Sequence, residues 1–508
     1  MKNYPRNTII FIAIFLIVAT FSNVAQAQGK MIATLNFDPE TDGFGFKNYP
    51  HDEMKPYNWQ NDLTYYDMML MFGVKNVCVT GNSNSTCVAK RPAENWRIKS
   101  LQAMDGGHCE GMAAASLLFF EGHEFKKKKT PMDFQKSAET VNKLKFPSPS
   151  IENYIAYFFV TQLFDGVYEY RDVYAKKGPV NTVKDLVAAM NDQNATTYTL
   201  SVSRVKNGKW EGHTVTPIAV EDLGNAYRIH IYDNNHPNVT QDMTVQKSGK
   251  QKWGYNLSTS PNNRTELWTG DISTRSFNIT PNDSRYGKRF PAAFSDNEED
   301  DENSASTNTS RASHAKQVEF LVNDDADLLV TDGNGKRVGY DWNKKQTVNE
   351  IEGAKMINVA TGDDGNLPPV LHLPFRPDGK KPYTITLSGK SLKKESRPDL
   401  VYSGPGFSVG LDGIKLDPNE TLNFQISPDG REISFTASAD GETPEIYFSR
   451  DGKDGKSYLV EVDGVELEAG KTISGEFDEE AGRFHFKDND GNEDKYDVDF
   501  ERVLPDGK

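Results

Sequence analysis

The sequence predicts an α+β domain followed by one or two all-β sandwich modules, and three observations predict it. Apolar residues recur at helical spacing between about residues 95 and 190 and then switch to strand alternation from 196. Past residue 317 short alternating strands with Asp, Gly and Asn turns continue with almost no helical period. A chain of 508 residues exceeds what one hydrophobic core serves, so two or three domains are expected.

The elements follow in order. Lys2 and Arg6 precede an apolar run at 9–21 and then Ala25-Gln26-Ala27, an A-x-A cleavage signature. That run is too short to cross a bilayer comfortably, so residues 1–27 read as a secretory signal peptide. The protein is expected outside the cytoplasm, extracellular or periplasmic, with no transmembrane segment left after signal removal. Residues 28–94 place aromatics between glycines and prolines, as in Gly43-Phe44-Gly45-Phe46 and Asn48-Tyr49-Pro50, which suggests an extended arm packed on a domain. The arm carries a helix at 62–71 and then Cys78 and Cys87 on either side of a turn-rich segment. An oxidising exterior would keep these two bonded, stabilising the fold by roughly 2 to 3 kcal/mol. A helix at 92–104 carries Trp96 and Gln102.

Residues 95–280 form the α+β domain. Helices are expected at 131–144 and 151–174, with Thr130 and Ser150 as N-caps, and at 183–190. Strands follow at 196–205, 213–220 and 227–233, the first two joined by a hairpin turn at 206–209. Residues 281–316 include an acidic run from Ser295 to Glu302 and a Ser/Thr/Asn tract, and read as a disordered linker. Residues 317–508 are the β-sandwich region, with a boundary between two modules expected near 388–398. Asp488, Asp490, Asn492 and Asp494 alternate as calcium ligands do, but Gly491 is misplaced for an EF-hand loop, so an acidic hairpin turn is the better reading.

Charge limits the partners. A net charge of -15 argues against nucleic acid, which needs a clustered basic surface. The dense basic run, Lys126 to Lys129, reads as a solvated loop. No spacing suggests a cofactor or a metal; a zinc site from Cys109, His108 and His213 lacks any C-x-x-C or H-x-x-x-H pattern.

The chemistry centres on Gly106-Gly107-His108-Cys109-Glu110-Gly111-Met112, which runs into the apolar helix 113–120. A thiol in the first turn of a helix meets unpaired N–H groups and the positive end of the helix dipole, which favour thiolate, the nucleophilic form. Once Cys78 and Cys87 bond, Cys109 is the leftover thiol and the candidate nucleophile; a buried, inert cysteine is the alternative. A nucleophile needs a base and a group to orient that base. His213 opens one strand and Asp233 closes the next, so an antiparallel hairpin would make them neighbours. Taken alone, His213 also fits a satisfied core histidine and Asp233-Asn234-Asn235 an ordinary turn; His108 is a second possible partner for the thiol.

Cysteine at a helix start, histidine opening a later strand and Asp closing the next resembles the papain-like cysteine peptidases and their relatives that process bacteriocin leaders. The block also resembles exported bacterial proteins bearing Gly-Gly-His-Cys-Glu-Gly-Met and Tyr-Asp-Asn-Asn, often with a β-rich tail. The resemblance covers roughly residues 95–240 and implies a papain-like catalytic domain with Cys109 as nucleophile, His213 as general base and then acid, and Asp233 as orienting group. Gln102 would be the side-chain half of an oxyanion hole, beside the Cys109 backbone N–H. Glu110 stands where papain has an aromatic, no Asn-Ser-Trp follows His213, and the Gln102 spacing differs. A nearby Glu110 would raise the thiol pKa.

The expected function is a secreted cysteine hydrolase cleaving peptide bonds through a thioester, its partner a peptide or protein. An amidase or transglutaminase-like acyl transferase shares the same triad. A non-catalytic adhesin, with the β region binding a glycan or cell-surface ligand, is the reading from another class.

Overall fold

The structure is a computed structural model that describes residues 29–50, 58–206, 209–256, 267–296, 316–362, 367–379, 381–440, 444–452, 455–478, 483–489, 491 and 495–504. The expected signal peptide, most of the acidic run and most of the Asp488–Asp494 turn lie outside the described residues. Helices and an antiparallel sheet come first and a strand-rich region follows.

The arm enters as β1 (Lys30–Thr34), then α1 (Tyr65–Phe72), α2 (Val74–Val77) and the short pair β2 (Cys78–Thr80) and β3 (Val88–Ala89). Cys78 and Cys87 are disulfide-bonded, leaving Cys109 as the free, buried thiol. α3 (Arg91–Gln102) and α4 (Cys109–Glu121) follow. Residues 109–119 of α4 are all buried, so this helix has no solvent face and lies at the centre of the domain. It packs against α6 (Pro149–Val160), which follows the short α5 (Pro131–Phe134). The long helix expected at 131–144 is therefore only one capped turn: Thr130 and Asp133 close a capping box, and the chain leaves helical geometry at Gln135. The helix expected at 151–174 is two, because a 3-10 turn at Thr161–Leu163 separates α6 from α7 (Asp165–Lys177). Ser148, not Ser150, is the N-cap of α6, since Pro149 takes the first helical position, where a missing N–H costs nothing. Lys126 is not a solvated loop residue; its amine pairs with Asp67 and reaches Asn153 Oδ1 at 2.8 Å.

After α8 (Pro179–Asn191) come β4 (Tyr198–Lys206), β5 (Lys209–Asp222), β6 (Ala226–Tyr232), β7 (Thr240–Gln246), β8 (Trp253–Asn256), β9 (Leu267–Gly270) and β10 (Phe277–Pro281). They pair in the order β10-β4-β5-β6-β7-β8-β9, and β1 pairs with the second half of β5. Residues 282–296, expected in the linker, are instead packed: Arg285, Phe290 and Phe294 are buried, the two rings among those of Phe72, Trp96 and Phe164.

The strand-rich region forms two eight-stranded antiparallel sheets among the described residues, enclosing one apolar core. Tyr383–Ser388 pairs with both Asp327–Thr331 and Thr421–Ile426. Pairing thus crosses residues 388–398, and two modules cannot be divided there. The helical part docks on this region: α3 sets Lys99 between Asp399 and Asp412, each at 2.8 Å, and Lys90 against Asp451 at 3.1 Å. No helix of the described residues is long and apolar enough to cross a membrane.

A second contact between the two parts titrates. His372 Nε2 lies 3.0 Å from Glu319 and Nδ1 3.3 Å from Asp165 at the start of α7, which Lys355 also meets at 2.9 Å. Burial opposes charge on His372, but its hydrogen bonds to Asp165 and Glu319 prevail and push it up to about 9. Burial likewise opposes charge on Asp165, which His372 and Lys355 nonetheless hold below the usual carboxylate range. The histidine contribution is complete below its unfolded pKa of about 6.5 and is lost as pH rises through 9; the Asp165 contribution is present above about 3.9 and lost in acid. The melting temperature should therefore fall between pH 6.5 and 9, and His372→Gln should flatten that fall; an unchanged slope would show that this contact does not govern it.

Candidate active site at the start of α4

The turn into α4 is clamped from the arm. Gly107 takes φ +122°, a conformation that side chains other than hydrogen rarely adopt. The His108 backbone N–H donates to Asn48 Oδ1 at 2.6 Å, and its ring Nδ1–H donates to the Tyr49 carbonyl at 2.6 Å while stacking on the Tyr49 ring. His108 is committed to Tyr49, not to its neighbour Cys109. At Gly111 a Cβ would lie 2.2 Å from the Ile155 carbonyl oxygen, so the glycine lets α4 and α6 approach closely.

β5 carries His213 beside Cys109, and the chain leaving β6 supplies Asp233. His213 Nε2 donates to Asp233 Oδ1 at 2.7 Å, with both side chains fully buried. The same carboxylate accepts the Asn235 backbone N–H at 2.9 Å on Oδ1 and the Tyr255 hydroxyl on Oδ2. Among the described residues Nδ1 of His213 meets no partner in ordinary hydrogen-bond geometry, but thiol and imidazole lie close enough that each shifts the protonation of the other. Asn234 ties the arrangement together, its Nδ2 donating to the carbonyls of Cys109 and Thr214, each at 3.0 Å. The three residues expected to form a triad are thus brought together.

Burial dominates the protonation of the thiol. It pushes Cys109 above its ordinary value, against the pull of His213 and the Thr214 backbone N–H; the Glu110 charge adds a smaller push upward. The helix start that should favour thiolate is outweighed in this closed site. Burial also opposes charge on His213, yet Asp233 holds it well above its ordinary value. Asp233 is pushed up by burial but held down by His213 and Tyr255.

Glu110, the residue after the thiol, is fully buried between Arg171 of α7 and Arg285. Thr214 donates to it at 2.5 Å, and Arg285 also reaches Thr161 and Thr199, each at 3.0 Å. Burial favours the neutral acid, but the two guanidinium groups hold the carboxyl down at about 2.

Gln102 does not join the cluster. Its Oε1 accepts from Asn323 Nδ2 at 3.0 Å, in the contact with the strand-rich region, and no contact among the described residues links it to Cys109, His213 or Asp233. The last turn of α3 thus faces that docking surface instead of Cys109. The side-chain amide that does stand beside the turn is Asn48, whose Nδ2 donates to the Thr361 carbonyl at 2.9 Å. Neither Asn48 nor Tyr255 carries a spacing signal, since both reach the site from distant elements. Among the described residues no group of three or more His, Cys, Asp or Glu could hold a metal ion. In comparisons with known proteins, no family model, curated protein or solved structure matches this chain.

Replacing Glu110 by glutamine leaves two buried guanidinium groups without their counter-charge. Glu110→Gln should cost about 3 to 5 kcal/mol in urea unfolding; a loss under about 1 kcal/mol would mean that the arginines find other partners.

Proposed function

We propose that this protein is an exported cysteine hydrolase of papain-like type that cleaves peptide or related amide bonds through a thioester on Cys109. The single observation that carries the reading is the convergence of Cys109, His213 and Asp233 from three separated segments into one buried cluster. In this reading Nδ1 of His213 takes the Cys109 proton as sulfur attacks the acyl carbon, then gives it to the leaving amine. Asp233 holds Nε2–H and so fixes the tautomer with Nδ1 toward sulfur; Tyr255 and the Asn235 N–H hold Asp233 in turn. Water then opens the thioester, deprotonated by the same imidazole. Asn48 Nδ2 is the side-chain donor for the oxyanion in place of Gln102. The Cys78–Cys87 disulfide supports an oxidising compartment.

The pairing is tested by alkylating Cys109 with iodoacetamide from pH 5 to 11 and reading the inflection of the rate. His213 favours the thiolate, so His213→Ala should move the inflection above that of wild type. An identical inflection in both proteins would refute the pair.

A further inference from the structure

Cys109, His213 and Asp233 are each 0 % exposed, and the strand-rich region packs against residues just before Cys109 and His213 in sequence. Residues 358–362, which leave the strand Lys355–Ile357 before Val370–Pro374, lie across the turn into α4 and the start of β5. The Thr361 carbonyl accepts from Asn48 Nδ2 at 2.9 Å. The Gly362 N–H donates to the Gly212 carbonyl at 3.1 Å, one residue before His213. The Ala360 N–H donates to Gln162 Oε1 at 2.7 Å, and just before the segment the Met356 carbonyl accepts from the Tyr168 hydroxyl at 2.5 Å.

Each of these bonds is made to the backbone of the segment, the way an extended peptide is gripped whatever its sequence. Side-chain size is restricted instead. A Cβ on Gly107 would lie 2.4 Å from the Thr361 oxygen, and one on Gly212 would lie 3.4 Å from the Ala360 Cα. Ala360 and Thr361 are 3 % and 1 % exposed, so the cleft is filled by small residues against glycines. Gln162 Oε1 also faces Arg171, at 3.4 Å, the partner of Glu110. The grip on Ala360 is therefore continuous with the network beside the thiol.

We propose that residues 358–362 are an internal peptide ligand of the Cys109 cleft, which keep the full chain latent until the strand-rich region is displaced, and that the opened cleft takes an extended peptide with small side chains. The Thr361 carbonyl then occupies the amide donor that a substrate carbonyl would use. The inference rests on reading Cys109 as the nucleophile, but what it predicts is access, not reactivity.

The experiment measures the rate of Cys109 alkylation by iodoacetamide at a fixed pH of about 8, near the thiol range, on the full-length protein. Ala360→Trp places an indole where only a methyl group fits; Gln162→Ala removes one grip without adding bulk and serves if the first variant fails to fold. Wild type should label far more slowly than the same protein in denaturant, and either variant should label about tenfold faster or more, as the opened state becomes more populated. The free peptide Asn-Val-Ala-Thr-Gly should then slow labelling of the opened variant, and Asn-Val-Phe-Thr-Gly should not. Wild-type labelling at the denatured rate, or unchanged labelling in both variants, would overturn the latent state; indifference to the first peptide would overturn the ligand class. If labelling of the opened variant is then followed from pH 5 to 11 and its inflection is the same with and without His213→Ala, the hydrolase reading fails and the cover stands.

Discussion

A carboxylate with no access to water must be protonated or paired, and Glu110 is paired twice. Its two arginines come from α7 and from the segment after β10, and its third partner, Thr214, from β5. This fully buried carboxylate therefore dictates where four parts of the chain meet, and it sits next to the sulfur. Buried ion pairs add little net stability against an apolar alternative, but they penalise every arrangement that separates the partners. Here that penalty fixes α4 against β5, which is what sets Cys109 beside His213. Glu110, read from the sequence as an unfavourable neighbour of the thiol, does push the thiol pKa up. Its larger effect is mechanical.

The strand-rich region is tied to the helical domain at several places among the described residues. Lys99 and Lys90 dock α3 on its sheet, His372 reaches Asp165, and residues 358–362 meet the turn into α4. Its residues Leu321, Ile357, Val370, Val401, Tyr447 and Leu459 belong to the same apolar cluster as the helices. An acidic, unperiodic tract between two regions does not make them independent when charged and apolar contacts on both sides are complementary.

What was legible in the sequence follows from how local each signal is. The disulfide, the helix start at Cys109 and the hairpin bringing His213 to Asp233 depend on residues a few positions apart or on one strand pairing, and all are found. The α+β order and the sandwich-like sheets were readable from periodicity. The place of Gln102 in the sequence matches the expected order, but order does not say which way the last turn of a helix faces. Phe290 and Phe294 were hidden because charge density just after them dominates any window containing both. The boundary at 388–398 failed because sheet pairing is long-range, so a run of turn residues marks a loop equally well inside one sandwich as between two. Asn48 and Tyr255 are beyond sequence reasoning of this kind, since only tertiary contact distinguishes them from other Asn and Tyr residues.

The arm bears on how such a chain could mature. β1 is hydrogen-bonded to β5, the strand that carries His213, and Asn48 and Tyr49 hold the peptide group and ring of His108. The amino-terminal stretch thus packs on the turn that carries Cys109 and is a rib of the sheet that carries His213. A processing enzyme that trimmed the chain from this side would dismantle the site before it unveiled it. Any cut that preserves the surroundings of Cys109 has to fall on the carboxyl side of Phe294, whose ring packs on Phe72 and Trp96.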